Sequence, residues 1–219
     1  MNVNPAIDTM HLGPVFSGFA APQLPTRQQL VEMLHYLLLD ESKLIATAAL
    51  SYRHQLGFEK FLIDLDHSGA CLRIHYWDGG ESEEDIHSHC ADFSSRILLG
   101  QLTEETFTLS SGENLAMYRY FFDADKKESV ARGYGYSSVQ IKRSRTLAAG
   151  DIYTVKAGGL HRVTAVAPGT ITVSSWSPRF QNAIVLKPAN QEADPCCIRA
   201  GMDIEYLRMR LSTICQELQ

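Results

Sequence analysis

The chain has 219 residues, 45% of them hydrophobic and 21% charged, a composition that fits one globular domain with a substantial core. Lys and Arg number 20 against 25 Asp and Glu, a net charge of −5, and no basic run accumulates, so an electrostatic case for nucleic acid or an anionic membrane is missing. The expected partner is a small molecule.

Residues 1–25 are rich in Pro, Gly, Ala and Asn, without a basic start or a sustained apolar run. They read as an irregular segment, neither signal peptide nor membrane span. Thr26-Arg27-Gln28-Gln29 then has the form of a capping box, and Leu30, Met33, Leu34, Leu37 and Leu38 recur at helical spacing, which predicts a helix near 27–39. Asp40-Glu41-Ser42 interrupts it, and a second helical stretch through Leu44, Ala48, Ala49 and Tyr52 is expected to run to Gly57.

From Phe58 the pattern changes to short runs rich in Ile, Val, Thr, Tyr and Phe, punctuated by turn residues, as in an all-β barrel or sandwich. The clearest runs are 60–65, 71–77, 93–99, 104–109, 117–122, 138–141, 151–156, 163–166 and 170–175, with turns at Asp78-Gly79-Gly80, Ser111-Gly112-Glu113-Asn114 and Pro168-Gly169. A last helix is predicted from Asp203, with Ile204, Leu207, Leu211, Ile214 and Leu218 on one stripe. The expected organisation is an irregular segment 1–25 and a single domain 26–219, made of helices 26–57, a barrel 58–186 and a tail with helix 187–219. Five irregularly spaced cysteines, including adjacent Cys196 and Cys197, read as reduced thiols, and the protein is expected in the cytoplasm.

The most informative feature is His87-Ser88-His89, joined far downstream by His161 in Gly158-Gly159-Leu160-His161. Alternate residues of a strand share a face, so His87 and His89 point the same way, and another strand can bring His161 to them. Three imidazoles suit a divalent transition metal and leave positions open for substrate or dioxygen.

On these residues the chain resembles the cupins. His87 and His89 are followed, at the spacing of the first cupin motif, by Phe93 and Gly100, and Gly150, Gly158 and His161 match the second motif. Phe93 stands where the cupin glutamate ligand would be. The fold implied is an all-β cupin (RmlC-like) jelly-roll barrel with two N-terminal helices and a short C-terminal helix. The blocks Arg73-Ile74-His75-Tyr76-Trp77, Ile86-His87-Ser88-His89, Leu98-Leu99-Gly100-Gln101-Leu102, Gly159-Leu160-His161-Arg162-Val163 and Trp176-Ser177-Pro178-Arg179-Phe180 resemble cysteine dioxygenases over roughly residues 28–180.

That resemblance implies Fe(II), with Ni, Zn, Mn or Cu as alternatives, held by His87, His89 and His161, and a dioxygenase that oxidises a small thiol to a sulfinic acid with O2. Alternatives are a C–C bond-cleaving dioxygenase or isomerase, or a non-catalytic small-ligand cupin, each as monomer or homodimer. Lys60 aligns with the family's substrate-binding arginine, and Arg73 is a second candidate cation. Counting back from Ser177-Pro178, Thr172, Ser174 and Trp176 occupy the positions of the family's Ser-His-Tyr relay. Thr172 and Ser174 are therefore weak catalytic candidates, and Phe93 and Trp176 are expected to line an apolar substrate pocket. Asp92 could reach the metal only through a bulge, and His75 reads as a core or supporting histidine rather than a ligand.

Overall fold

A computed structural model describes residues 23–54, 57–79, 84–123, 128–194, 196–197 and 201–219. Most of the irregular segment 1–25, the Gly80–Glu83 part of the acidic loop, and the Cys196 and Cys197 side chains lie outside the described residues.

Two helices come first, α1 (Arg27–Leu39) and α2 (Glu41–Leu50). The capping box forms as the sequence predicts: Thr26 Oγ1 accepts the Gln29 N–H at 3.2 Å and Gln29 Oε1 accepts the Thr26 N–H at 2.9 Å. The second helix stops at Ser51 rather than Gly57, because Tyr52–Arg53 leave the helix to form a strand, β1. The strands that follow are β2 (Phe58–Leu65), β3 (Cys71–Trp77), β4 (Ile86–His87), β5 (Phe93–Leu99), β6 (Gln101–Asp123), β7 (Glu128–Ala148), β8 (Ile152–Val155), β9 (Leu160–Thr164), β10 (Thr170–Trp176), β11 (Ile184–Pro188) and β12 (Cys196–Cys197). The chain closes with α3 (Ile204–Glu217), capped by the Asp203 carboxylate on the Tyr206 N–H.

The strands form two six-stranded antiparallel sheets, ordered β1-β2-β3-β10-β5-β8 and β11-β4-β9-β6-β7-β12. Late strands sit between early ones, β10 between β3 and β5 and β9 between β4 and β6, which is the interleaving of a jelly roll. The fold is an all-β jelly-roll barrel with two helices before it and one after it among the described residues.

One predicted turn is overturned. Ser111-Gly112-Glu113-Asn114 does not join two strands, because Ser110 and Leu115 face Ser138 and Ser137, consecutive residues of one continuous β7. The four residues are an excursion from a 23-residue β6. Turn chemistry alone cannot tell a hairpin from a bulge when the partner strand runs on past it.

The first sheet separates two cores. Its outer face, with Phe61, Ile74, Ile171 and Val173, packs against Leu30, Leu34 and Leu44 of the leading helices and Leu207, Leu211 and Ile214 of α3. Its inner face, with Phe58, Cys71, Trp77, Phe93, Ile97 and Trp176, meets Leu102, Leu147 and Val163 of the second sheet. Every residue of β10 is buried, as a central strand covered on both faces requires.

Candidate metal centre

β4 and β9 are hydrogen-bonded neighbours with His87 directly opposite His161. That register makes two positions 74 residues apart in sequence adjacent in space, and His89, two residues beyond His87, completes the group. The ring centroids lie 4.7 Å (His87–His89), 4.8 Å (His87–His161) and 4.9 Å (His89–His161) apart. The nearest pair of nitrogens, His89 Nε2 and His161 Nε2, is 2.7 Å apart, and all the ligating atoms lie within 4.8 Å of one another.

The surroundings orient the rings. The Asp85 carbonyl accepts the His87 Nδ1 proton at 2.8 Å, leaving Nε2 with its lone pair free. Between the two histidines, Ser88 points the other way and locks the segment to β11, its N–H donating to the Ile184 carbonyl and its Oγ accepting the Ile184 N–H. The His89 carbonyl accepts the Gln181 amide at 3.2 Å. Burial, then the charge of His87, holds His89 and His161 well below the usual histidine value, so both are neutral donors at neutral pH. His161 is 2% exposed and its Nδ1 has no hydrogen-bond partner among the described residues.

Three imidazoles crowded this closely, two of them held neutral, fit a divalent cation. Donors about 2.1 Å from one metal in adjacent positions lie roughly 3 Å from each other, within the 2.7–4.8 Å spread seen here. No carboxylate joins them among the described residues. Phe93 borders the cluster instead, its ring 4.9 Å from His89 at 87° and 5.8 Å from His161. Asp92 is engaged elsewhere, accepting the Ala157 N–H at 2.7 Å and the Lys156 ammonium at 2.8 Å, contacts that hold its carboxyl below the usual range.

The remaining candidates fall on the inner face of the first sheet. Trp176 stacks on Phe93 at 4.2 Å and 17° and stands 5.0 Å from His89. The Arg73 guanidinium lies 4.2 Å from the Trp176 ring centre. Two groups cannot share one face at that distance, so Trp176 is sandwiched between Phe93 and Arg73. Arg73 Nε also donates to Cys71 Sγ at 3.2 Å, and among the described residues Arg73 has no ion pair.

Lys60 is the third residue of its strand, opposite His75, and donates to the Tyr52 hydroxyl at 2.8 Å. Ser174 is committed to the Trp176 indole, accepting Nε1–H at 2.8 Å. Thr172 is fully buried opposite His75, and its hydroxyl has no partner among the described residues.

His75 faces the barrel interior without joining the cluster. Its ring meets Phe58 at 5.0 Å and Trp77 at 5.6 Å, and burial, Lys60 and Arg73 hold it well below the ordinary histidine value.

Two contributors escaped sequence reading. His54, expected in a helix, follows β1 and stacks on Phe58 at 4.6 Å. Burial, with Lys60, His87 and Arg73, pushes it down to about 4. Glu84, in what reads as an acidic loop, accepts the Val163 N–H at 2.8 Å, and burial raises its carboxyl above the usual range despite His87. Its three-residue separation from His87 is the one signal that could have found it.

No family model matches the chain, and no curated protein sequence does. Solved structures similar to it include KdgF from Halomonas sp. at 14% identity, covering 59% of this chain and 88% of that one with a TM-score of 0.38. An RmlC-like cupin from Shewanella frigidimarina shares 17% identity over 58% of this chain and 82% of its own, with a TM-score of 0.33. Hydroquinone 1,2-dioxygenase PnpCD, solved with Cd2+ and 4-hydroxybenzonitrile, shares 14% identity over 53% of this chain and 61% of its own, with a TM-score of 0.35. The chain's own strand order and its histidine cluster describe an interleaved antiparallel barrel carrying three histidines that could hold a metal ion.

Proposed function

We propose that the protein is a metal-dependent dioxygenase of the three-histidine cupin type that oxidises a small anionic thiol to a sulfinic acid. In this reading residues 26–219 act as one cupin domain in the cytoplasm. The observation that carries it is the convergence of His87, His89 and His161 with an aromatic ring, Phe93, where a carboxylate ligand would stand. Ferrous iron bound by these residues would supply a redox-active Lewis acid of undiminished +2 charge, which favours a thiolate donor and dioxygen chemistry.

The chain's own groups account for the rest. Asp85 fixes the tautomer of His87, and burial keeps His89 and His161 unprotonated. Phe93 and Trp176 exclude water beside His89. Arg73 and Lys60 present positive charge to an acid group on the substrate. Thiolate and dioxygen combine as RS⁻ + O2 → RSO2⁻, so no external reductant is needed.

A second reading, C–C cleavage of a chelating non-thiol substrate, is favoured by one feature. Ser174 is occupied by the Trp176 indole, which leaves no hydroxyl–imidazole pair along β10 to move a thiol proton. Oxygen uptake by the ferrous-loaded protein separates the two: consumption with thiols, and sulfinate as product, is expected. Consumption only with diketone-like substrates overturns the thiol assignment, and none with either class despite bound metal overturns the dioxygenase reading.

A further inference from the structure

β7 is a 21-residue strand that pairs with β6 along one edge. Along its other edge the described residues pair only at Ser129 and Glu128, with Cys196 and Cys197. From residue 130 onward the backbone groups of that edge have no strand beside them among the described residues. Residues 132–136 and 140–144 are exposed, and Tyr134, Tyr136, Ile141 and, on β6, Leu109 are 51–60% accessible. A long, open and partly apolar edge is a template for another strand.

The irregularities of β7 select the partner. Against β6, Arg143 faces Thr106 and Ile141 faces Phe107, so Lys142 is an extra, bulged residue. Gly135 faces Met117 and Gly133 faces Tyr118, so Tyr134 is another. Bulges and a lysine can blunt an edge, but these two bulges stand equally far on either side of Ser138.

A second β7 laid antiparallel about a two-fold axis at Ser138 therefore sets each bulge opposite the other's, Lys142 against Tyr134. In the same register Arg143 meets Gly133, Arg145 meets Ala131, Arg132 meets Ser144 and Ile141 meets Gly135. Four cations crowd this strand, and none faces another across the axis. An ammonium opposite a tyrosine ring is a favourable pair, and two glycines leave room for the long side chains opposite them.

We infer that β7 is a homodimer interface, in which a second copy of this chain extends the second sheet by antiparallel pairing of 131–145 about Ser138. The inference stands on strand geometry and is independent of the chemistry proposed for the metal centre.

Light scattering on the full chain at tens of micromolar is expected to give twice the chain mass. Tyr134→Lys places a cation opposite Lys142 of the other copy and should weaken association at least tenfold. Adding Lys142→Glu to it restores an attractive pair and should restore the dimer. Tyr134 is a surface residue, so an unchanged circular dichroism spectrum separates lost pairing from lost folding. A monomeric parent overturns the inference, as does a dimer indifferent to Tyr134→Lys or one that the double variant fails to rescue.

Discussion

His161→Ala tests the metal centre most directly, because the expected loss is small in the metal-free protein and large in the metal-bound one. Without metal, the substitution removes a buried imidazole whose Nδ1 has no partner, a relief of about 1–3 kcal/mol. Losing a ring that is 2% exposed leaves a cavity costing about 2–5 kcal/mol. The metal-free variant should therefore be only slightly less stable than the parent.

With metal, the parent gains RT ln(1 + [L]/Kd), about 4 kcal/mol at a thousandfold excess over Kd. For a chain of 219 residues that is a rise in Tm of about 8–16 °C. A site weakened a hundredfold by the lost ligand keeps about 1.4 kcal/mol of it, or roughly 3–6 °C. Anaerobic thermal unfolding with and without ferrous iron, together with metal content after desalting, gives the comparison. An undiminished metal-dependent rise in His161→Ala, with metal content equal to the parent's, would refute the assignment of His161 as a ligand.

Two further outcomes follow from neighbouring residues. Phe93→Glu removes a buried ring stacked on Trp176 and should cost about 3–5 kcal/mol in denaturant unfolding without metal. Added metal should recover part of that by gaining a carboxylate donor, and equal losses with and without metal would count against Phe93 bordering the centre. Arg73→Gln should raise KM about tenfold or more for a thiol bearing a carboxylate and leave an uncharged thiol unaffected, so equal changes for both would show that Arg73 does not meet the acid group.

Asp64 concerns stability rather than the site. Burial raises its carboxyl from 3.8 to about 6, so the folded state holds the proton more tightly than the unfolded one, and this contribution fades as pH rises through about 6. Asp64→Asn should accordingly raise Tm at pH 7 and change little at pH 4. A rise of equal size at both pH values would exclude the titration as its cause.

The parts of the fold that were legible are those with a local cause. The capping box at Thr26, the apolar stripe of α3 and the β-branched run of β10 each act within a few residues, and each forms as read. The His-x-His pair was legible because its spacing puts both rings on one side of an extended chain, although β4 itself ends at His87. What escaped depends on partners distant in sequence. Tyr52–Arg53 looks helical until β2 offers it an edge, and Ser111–Asn114 looks like a hairpin turn until β7 runs past it. The inward direction of His75 follows from its pairing with Lys60 and Thr172, and no window of sequence around position 75 contains that register.

The same registers explain why replacing one ligand position bears on substrate choice. Phe93 and Trp176 are paired across β5 and β10, Trp176 is paired with Cys71 across β10 and β3, and Arg73 is one alternation further along β3. A carboxylate at position 93 would neutralise part of a bound metal's charge. With phenylalanine there, that charge would be left to whatever enters the barrel, and the Arg73 guanidinium on the other face of Trp176 has no ion pair among the described residues. The buried acids nearby are already engaged, Glu104 with Arg145 at 2.7 Å and Glu84 with the Val163 N–H at 2.8 Å. On the function proposed for the site, negative charge opposite a bound metal and Arg73 would then come from the substrate, which is why that reading takes an anionic donor carrying a second acid group rather than a neutral one.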